Sequence, residues 1–487
     1  MAMIGGFIDL CEQEQLHLSG AIQAYGALLV ADGDRLITHA SANIEQWLAQ
    51  APQQLIGTVL PDELTMLAME LGQAPGSRYA RNNVTLSRRP ASAVATRSGN
   101  GSITMELLPN ESNPPAHGPI PLLGFVPFAD LNDLANAQQQ LAEHIQAHTG
   151  FDRVMLYLFR NDDTGEVIAE ARSPQCKGTY LGLRFPASDI PRVARELYLK
   201  SPWRSIPDAG AAAVDLLGHG SVPDLSYVDL RSVSPVHRGY MQNMGVAGAI
   251  SFPIKTASGL RALLSCHSST ARSLSLPELQ LLAEQVQSYN LRVRELLTGL
   301  LLGLHEYLDR QNRQWLDSIA NVGTVAQAWP AFSQYLMDEF GAQGVLLESG
   351  HERLTAGVIP NAESMEIIDP WLAGTQDANG ISISQSLILD CPDPLLTEVA
   401  GIASVSVRQR GRTESRCLLF RTEEIHEVSW GGNPNKPAEQ HAGGLLVTPR
   451  NSFERWVETR LGYCREWPDE TRIKLLNLRK LLLDLLS

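Results

Sequence analysis

The segment that opens at Ser275 constrains the fold more than any other. Ser275 and Glu278 have the spacing of a capping box and Pro277 stands in the first turn, so a helix begins here. Leu279, Leu282, Val286, Tyr289, Val293, Leu296 and Leu300 then recur in steps of three and four, an apolar seam of 3.5-residue period. Carried on to about Asn321, ~45 residues at ~1.5 Å each span roughly 65 to 70 Å. A helix of that length joins two domains or runs beside a copy of itself. The competing arrangement is a hairpin broken at Gly299 and Gly303, because glycine costs about 1 kcal/mol in a helix interior.

Shorter elements lie on both sides of this helix. AIQAYGALLVA, RLITHA, ITMELL and PIPLLGFVPF are apolar runs bounded by Gly, Asp, Asn or Pro, the pattern of a small α+β unit. A polar, helix-favouring stretch from Asp130 to His148 leads to the strand-like runs FDRVMLYLF, EVIAEAR, GAISFPI and LRALLSCHS of a second unit. GVLLES, SVSVRQR and CLLFRT belong to a third, which ends in a leucine-rich helix from Glu470 to Leu486. Three units agree with a length of 487 residues.

A formal charge of -14, without a long basic run, argues against nucleic acid as a partner. No stretch approaches ~18 uncharged apolar residues and the N-terminus has no signal-peptide pattern, so no membrane span and a cytoplasmic location are expected. The six cysteines are scattered without a CxxC pair or paired histidine spacing, which suggests neither a metal site nor a disulfide framework. Five of them are expected to be packing residues.

Four separated segments carry the chemistry: CEQEQLHLSGAIQAYG from Cys11, FPASDIP from Phe185, LRSVSPVHRGYMQNMGV from Leu230 and PRNSF from Pro449. Taken singly, Ser188-Asp189 reads as a cap of the following helix with Pro191 in its first turn, GGNPN as a turn, and a lone histidine as a core or surface residue. In this order and separation they resemble the photosensory core of bacterial phytochromes, red-light receptors that hold a linear tetrapyrrole. The resemblance covers essentially the whole chain and implies an α+β fold of three tandem PAS/GAF-like domains with antiparallel sheets. They would be PAS over 1–129, GAF over 130–310 and PHY over 311–487, with a tongue hairpin at about 422–460.

It further implies biliverdin IXα as cofactor, thioether-linked to Cys11, because attachment needs an accessible thiolate and the alternative attachment position of other phytochromes is here Val236. Around the chromophore it places Asp189, Ile190 and Pro191 against the rings, Tyr157, Phe185 and Tyr240 around ring D, His237 beneath the pyrroles and His267 at the ring D carbonyl. Tyr198 belongs to the helix after FPASDIP. Arg231, Ser234 and Arg204 stand as propionate ligands and Ser251 as a retained hydroxyl. In the tongue, Trp430, Arg450 and Ser452 are the implied switch residues, with Arg450 and Ser452 as alternative partners of Asp189. The chain departs from the family pattern at Ser19, Ala24, Tyr25, Ala249, Arg261, Ala262 and Ser268.

The resemblance also implies that the N-terminal segment threads a loop at about 207–235 and that the long helices form a homodimer. No kinase, cyclase or P-loop string occurs, so the chain is expected to sense without catalysing and to pass its signal to an output domain or partner. The alternative is a light-insensitive GAF-type regulator of another small ligand, against which Cys11 speaks. A nucleophile-base pair of Cys266 and His267 is disfavoured because neighbouring strand residues point to opposite faces.

Overall fold

The computed structural model describes residues 14–87, 90–110, 126–257, 259–391, 398–408, 415–434, 440–441, 444–445 and 452–485. Two compact units account for them, residues 1–296 with 429–456, and residues 297–428 with 457–487.

The first unit holds two large sheets and a two-stranded ribbon, Gln440–His441 with Gly444–Leu445. One runs in the order Ala21–Gln23, Ala213–Gly218, Ile37–Ser41, Ala27–Ala31, Ile103–Pro109, Pro90–Arg97 and Arg78–Thr85. Its inner face packs Leu29, Met105 and Leu107 against Trp47, Leu64 and Leu67 of the intervening helices. The second sheet runs Arg204–Ile206, Gly248–Thr256, Gly259–Ser268, Arg153–Phe159, Gly165–Arg172 and Arg184–Phe185, all antiparallel, and continues with Trp430 paired in parallel to Arg184. The helix Leu131–Thr149 is capped by Asp130, whose carboxylate accepts from the Asn132 and Asp133 amides at 2.8 Å, and packs on the 153–159 and 165–172 strands.

The loop that the resemblance singled out clasps the N-terminal segment. The 21–23 strand pairs on one edge with 213–215. On its other edge Gln23 donates its amide to Leu230 O at 2.8 Å, and Ser232 donates to Ala21 O at 3.0 Å. Strand 21–23 is therefore held between two arms of loop 207–235. Gly218, opposite His39, makes this approach possible, because a Cβ there would lie 2.5 Å from the Thr38 carbonyl and 2.2 Å from the His39 ring.

The second unit has one antiparallel sheet in the order Glu352–Gly357, Gly344–Ser349, Ser415–Arg421, Gly401–Val407 and Ile381–Ser384. Alternation sends Val345, Leu419 and Val405 to a face covered by Phe332, Leu336, Leu475 and Leu482, and Leu346, Leu418 and Ile402 to a face covered by Ile368 and Leu372.

The long helix is one element, Leu276–Val322, so Gly299 and Gly303 do not break it. Ser275 opens it as expected: its amide donates to Glu278 Oε2 at 2.7 Å and its hydroxyl to the same oxygen at 2.6 Å. The seam residues Leu279, Leu282, Val286, Tyr289, Val293 and Leu296 are buried in this chain, each Leu or Val contributing roughly 1.5–3 kcal/mol. They are core residues, and the seam ends one step sooner than its period suggests, because Leu300 is 45% exposed beside exposed Leu301 and Leu302. Most of PIPLLGFVPF lies outside the described residues. Among the described residues no helix is long and apolar enough to cross a membrane.

Gly218→Ala should cost about 1–3 kcal/mol, the price of overpacking a fixed backbone. Thermal unfolding of this variant should begin at a lower temperature than that of Gly33→Ala, whose Cβ meets nothing within 4 Å.

Candidate functional site

A cavity, about 1650 Å³ with the adjoining open solvent included, lies over one face of the second sheet in the first unit. The strand register explains its floor. His267 stands between Ala249 and Arg153, Ser265 between Ser251 and Met155, and Leu263 opposite Tyr157. Side chains of facing residues share a face, so these rows run from polar to apolar across one surface. The intervening Cys266 is buried on the opposite face, where desolvation pushes its thiol up, and it forms no pair with His267. Ser251 and Ser265 share a hydrogen bond at 3.2 Å.

The roof comes from two short segments. Ser188 and Asp189 do not cap the helix Arg192–Lys200, contrary to the simplest reading of their types; Pro191 occupies its N-cap and Asp189 closes a 3-10 turn, Ala187–Asp189. That geometry presents the Asp189 carboxylate to the cavity, where Tyr240 Oη donates to Oδ2 at 3.0 Å. The helix Pro235–Asn243 then sets His237 and Tyr240 one turn apart, with their rings parallel at 6.2 Å. Ile190, Pro191 and Tyr198 also line the cavity.

Aromatic rings wall the apolar end. Tyr157 lies 5.9 Å from Phe185, and Tyr180 meets Phe185 edge-on at 5.9 Å. Phe453 of PRNSF is buried in the same cluster and meets Tyr240 edge-on at 4.9 Å. Gly431, after the buried Trp430, allows the other arm of this segment to reach the wall, since a Cβ there would stand 2.5 Å from Phe185 Cε1. Ser452 is exposed, whereas Cys11 and Arg450 lie outside the described residues.

The opposite end is cationic. Arg204 does not spend its guanidinium on the cavity alone: Nη1 donates to Asp229 O, and Nη2 donates to Arg231 O at 2.8 Å and Ser232 O at 3.3 Å. Arg231 Nη1 donates to Val228 O at 3.1 Å; burial and the neighbouring Arg204 lower its pKa to about 9 despite the opposing pull of Asp229. Ser234 Oγ donates to Glu14 Oε2 at 3.1 Å, so the chain reaches the cavity three residues after Cys11. Behind this end, Glu106 accepts the Leu230 amide at 2.8 Å and its pKa is raised by burial to about 7. Asp229, also raised by burial, accepts from Trp203 Nε1 at 3.2 Å and the Ser205 amide at 2.8 Å.

Burial lowers both cavity histidines, His237 to about 4 with help from Arg204, and His267 to about 3 with help from Arg153 and His237. His267 Nδ1 is buried without a hydrogen-bond partner among the described residues. A carboxyl acceptor, a cationic end, neutral imidazoles and an aromatic wall suit an extended, largely apolar ligand that carries carboxylates and ring N–H groups. A bilin has these features. Glu106, Asp229, Tyr180 and Phe453 were not singled out from sequence; a lone glutamate within the apolar run ITMELL was the available signal for the first.

A family model described as "Phytochrome region" matches residues 308–487, a "PAS fold" model residues 11–109 and a "GAF domain" model residues 133–288. The chain is 30% identical to the bacteriophytochrome of Xanthomonas campestris over 504 residues, covering 94% of this chain and 76% of that protein. It is 30% identical to cyanobacterial phytochrome B of a Nostoc species, over 97% of this chain and 65% of the relative. The bacteriophytochrome of Pseudomonas aeruginosa is also 30% identical, over 98% of this chain and 66% of the relative, so the chain spans a little under two thirds of the length of these last two. Among solved structures, the photosensory core module of Stigmatella aurantiaca phytochrome aligns with a TM-score of 0.80 at 28% identity, covering 98% of each chain. A bacteriophytochrome from R. palustris aligns with a TM-score of 0.77 at 27% identity, covering 98% of this chain and 99% of that one. With its antiparallel α+β domains and its walled cavity, the chain belongs to the phytochrome family as a PAS-GAF-PHY photosensory core.

Proposed function

We propose that this chain is a red/far-red light receptor that holds biliverdin IXα in the cavity, bound covalently through Cys11. The observation that carries this reading is the convergence of Asp189, His237, His267 and Arg231 on one cavity, with Phe453 packed against its wall residue Tyr240. In this reading residues 1–129 form the PAS domain, 130–310 the bilin-binding GAF domain, and 311–487 the PHY domain with a tongue at about 422–460. A bound bilin supplies light absorption and a rotatable double bond at ring D.

The chain's own groups supply the rest. Arg231, with Ser234, holds propionate, while Arg204 keeps the backbone of residues 229–232 in place. The neutral imidazole of His267 offers Nδ1 to a ring carbonyl, and His237 can pass a proton beneath the rings. Ile190, Pro191 and Tyr198 exclude water. Asp189 is the switch contact: its partner Tyr240 packs on Phe453, so a change of hydrogen bonding at Asp189 disturbs the tongue directly. Arg450 and Ser452 act as alternative partners of Asp189, and Trp430 anchors the other arm. The bistable tongue then passes the signal through the helices to an output domain or partner. We further propose a homodimer through the long helices, to which the exposed Leu300, Leu301 and Leu302 contribute; light scattering should give twice the chain mass, and a monomer at high concentration would contradict this.

A cytoplasmic location follows from the need for a free thiol at Cys11 in a reducing compartment. Mixing the apoprotein with biliverdin and then denaturing it should leave a mass increase equal to one biliverdin. Cys11→Ser should abolish that increase while retaining a coloured, non-covalent complex. A wild-type chain that takes up no biliverdin would defeat the assignment and favour a GAF-type regulator of another ligand.

The two histidines also give the ligand-free protein a pH signature. Their folded pKa values, about 4 and about 3, lie below the unfolded value, so the stability they contribute is complete above about pH 6.5 and is lost as pH falls through the folded values. Between about pH 6.5 and pH 4, His267→Gln should reduce the slope of stability against pH by up to ~1.4 kcal/mol per pH unit, measured by urea denaturation.

A further inference from the structure

One buried ion pair stands on the cavity face of the second sheet and has no part in the binding scheme above. Arg153 Nη1 meets Glu170 Oε1 at 2.5 Å, with the two side chains only 7% and 3% exposed. Arg153 Nη2 donates to Lys177 O at 3.0 Å and Gly178 O at 3.2 Å. Glu170 accepts the Thr179 hydroxyl on Oε2 and the Tyr180 amide on Oε1 at 3.1 Å. The irregular segment 177–180 is thus fastened to the pair at every residue.

A buried pair is a poor way to gain stability, because desolvation consumes much of the Coulomb attraction and apolar replacements are often neutral or better. Its position is more informative. Arg153 is the ladder partner of His267, so both side chains stand on the cavity face of the sheet. The guanidinium also lies 3.9 Å from the centroid of the Tyr180 ring, and Tyr180 meets Phe185 edge-on. Phe185 in turn touches Tyr157 and takes the close approach of Gly431. Arg153 therefore packs on Tyr180 of the aromatic wall and stands opposite His267 in the strand ladder.

We propose that Arg153 and Glu170 are positioning residues for the photoreaction: the pair fixes Tyr180, and through it Phe185, while the guanidinium sets the electrostatic field at His267. This rests on the bilin-receptor reading. Burial keeps the His267 ring neutral, and the Arg153 cation adds to that effect.

The test uses the full chain loaded with biliverdin. Arg153→Met/Glu170→Gln removes both charges together, so neither is left buried and unpaired, and Arg153→Lys keeps the cation. Thr179→Val removes one bond to Glu170 while leaving both charges, which provides a milder probe should the double variant fold poorly. Relative to wild type, the double variant should bind biliverdin with a displaced red absorption band. Its fraction converted by saturating red light should fall about threefold or more, the effect of losing one coupled contact. Arg153→Lys should restore most of that fraction, and Thr179→Val should lower it in the same direction by a smaller factor. If wild type converts while the double variant and Thr179→Val match it in band position and converted fraction, the positioning role is overturned and the receptor reading stands. If wild type binds biliverdin without converting, or does not bind it, the receptor reading fails and takes this proposal with it.

Discussion

Arg204 carries the arrangement of the cationic end. A buried guanidinium must satisfy its donors, and here they converge on the carbonyls of Asp229, Arg231 and Ser232. That stretch of backbone does three things at once. It forms one of the two arms that clasp strand 21–23, it presents Arg231 to the cavity, and it leads into the helix Pro235–Asn243 that carries His237 and Tyr240. Gln23 strengthens the same junction by donating its side-chain amide to Ser205 O at 2.9 Å and Asp229 O at 3.1 Å. The segment that follows Cys11 and the pocket are thus held by the same stretch of backbone.

The balance of charge there matters as much as the geometry. Arg78, Arg204 and Arg231 face Glu106 and Asp229 in a common region, and burial raises the Glu106 pKa to about 7. Arg231 and Arg204 line this end of the cavity together with Glu14, and a carboxylate-bearing ligand finds cationic partners there that a neutral one leaves unused. At the other end, the sequence of contacts from Asp189 to Tyr240 to Phe453 contains no slack: a hydrogen bond at 3.0 Å is followed by an edge-on ring contact at 4.9 Å. A change at the carboxylate reaches Phe453 of PRNSF through close packing.

Local signals in the sequence were read with most success where the chemistry is local. The bond from the Ser275 amide to Glu278 begins the long helix where the two side chains said it would, and the alternation in VMLYLF and LSCHS puts Tyr157 and His267 on the cavity face. Long-range pairing was hidden. Nothing near Glu106 points to Leu230, whose amide it meets across 124 positions of chain. Asp189 looked like an N-cap because its residue type suits one, yet the proline at 191 takes that place and leaves the carboxylate to the cavity. Leu300 continued the apolar period past the point where the chain buries it, because periodicity records the face of a helix and not what covers that face. Cys11 and Arg450 were proposed from the family strings and lie outside the described residues.

The most direct test of the central claim is the absorption spectrum of the biliverdin-loaded chain in darkness, after red light and after far-red light. The account predicts two bands, red and far-red, that exchange reversibly over repeated cycles. A bound chromophore whose spectrum does not change under either light would contradict it.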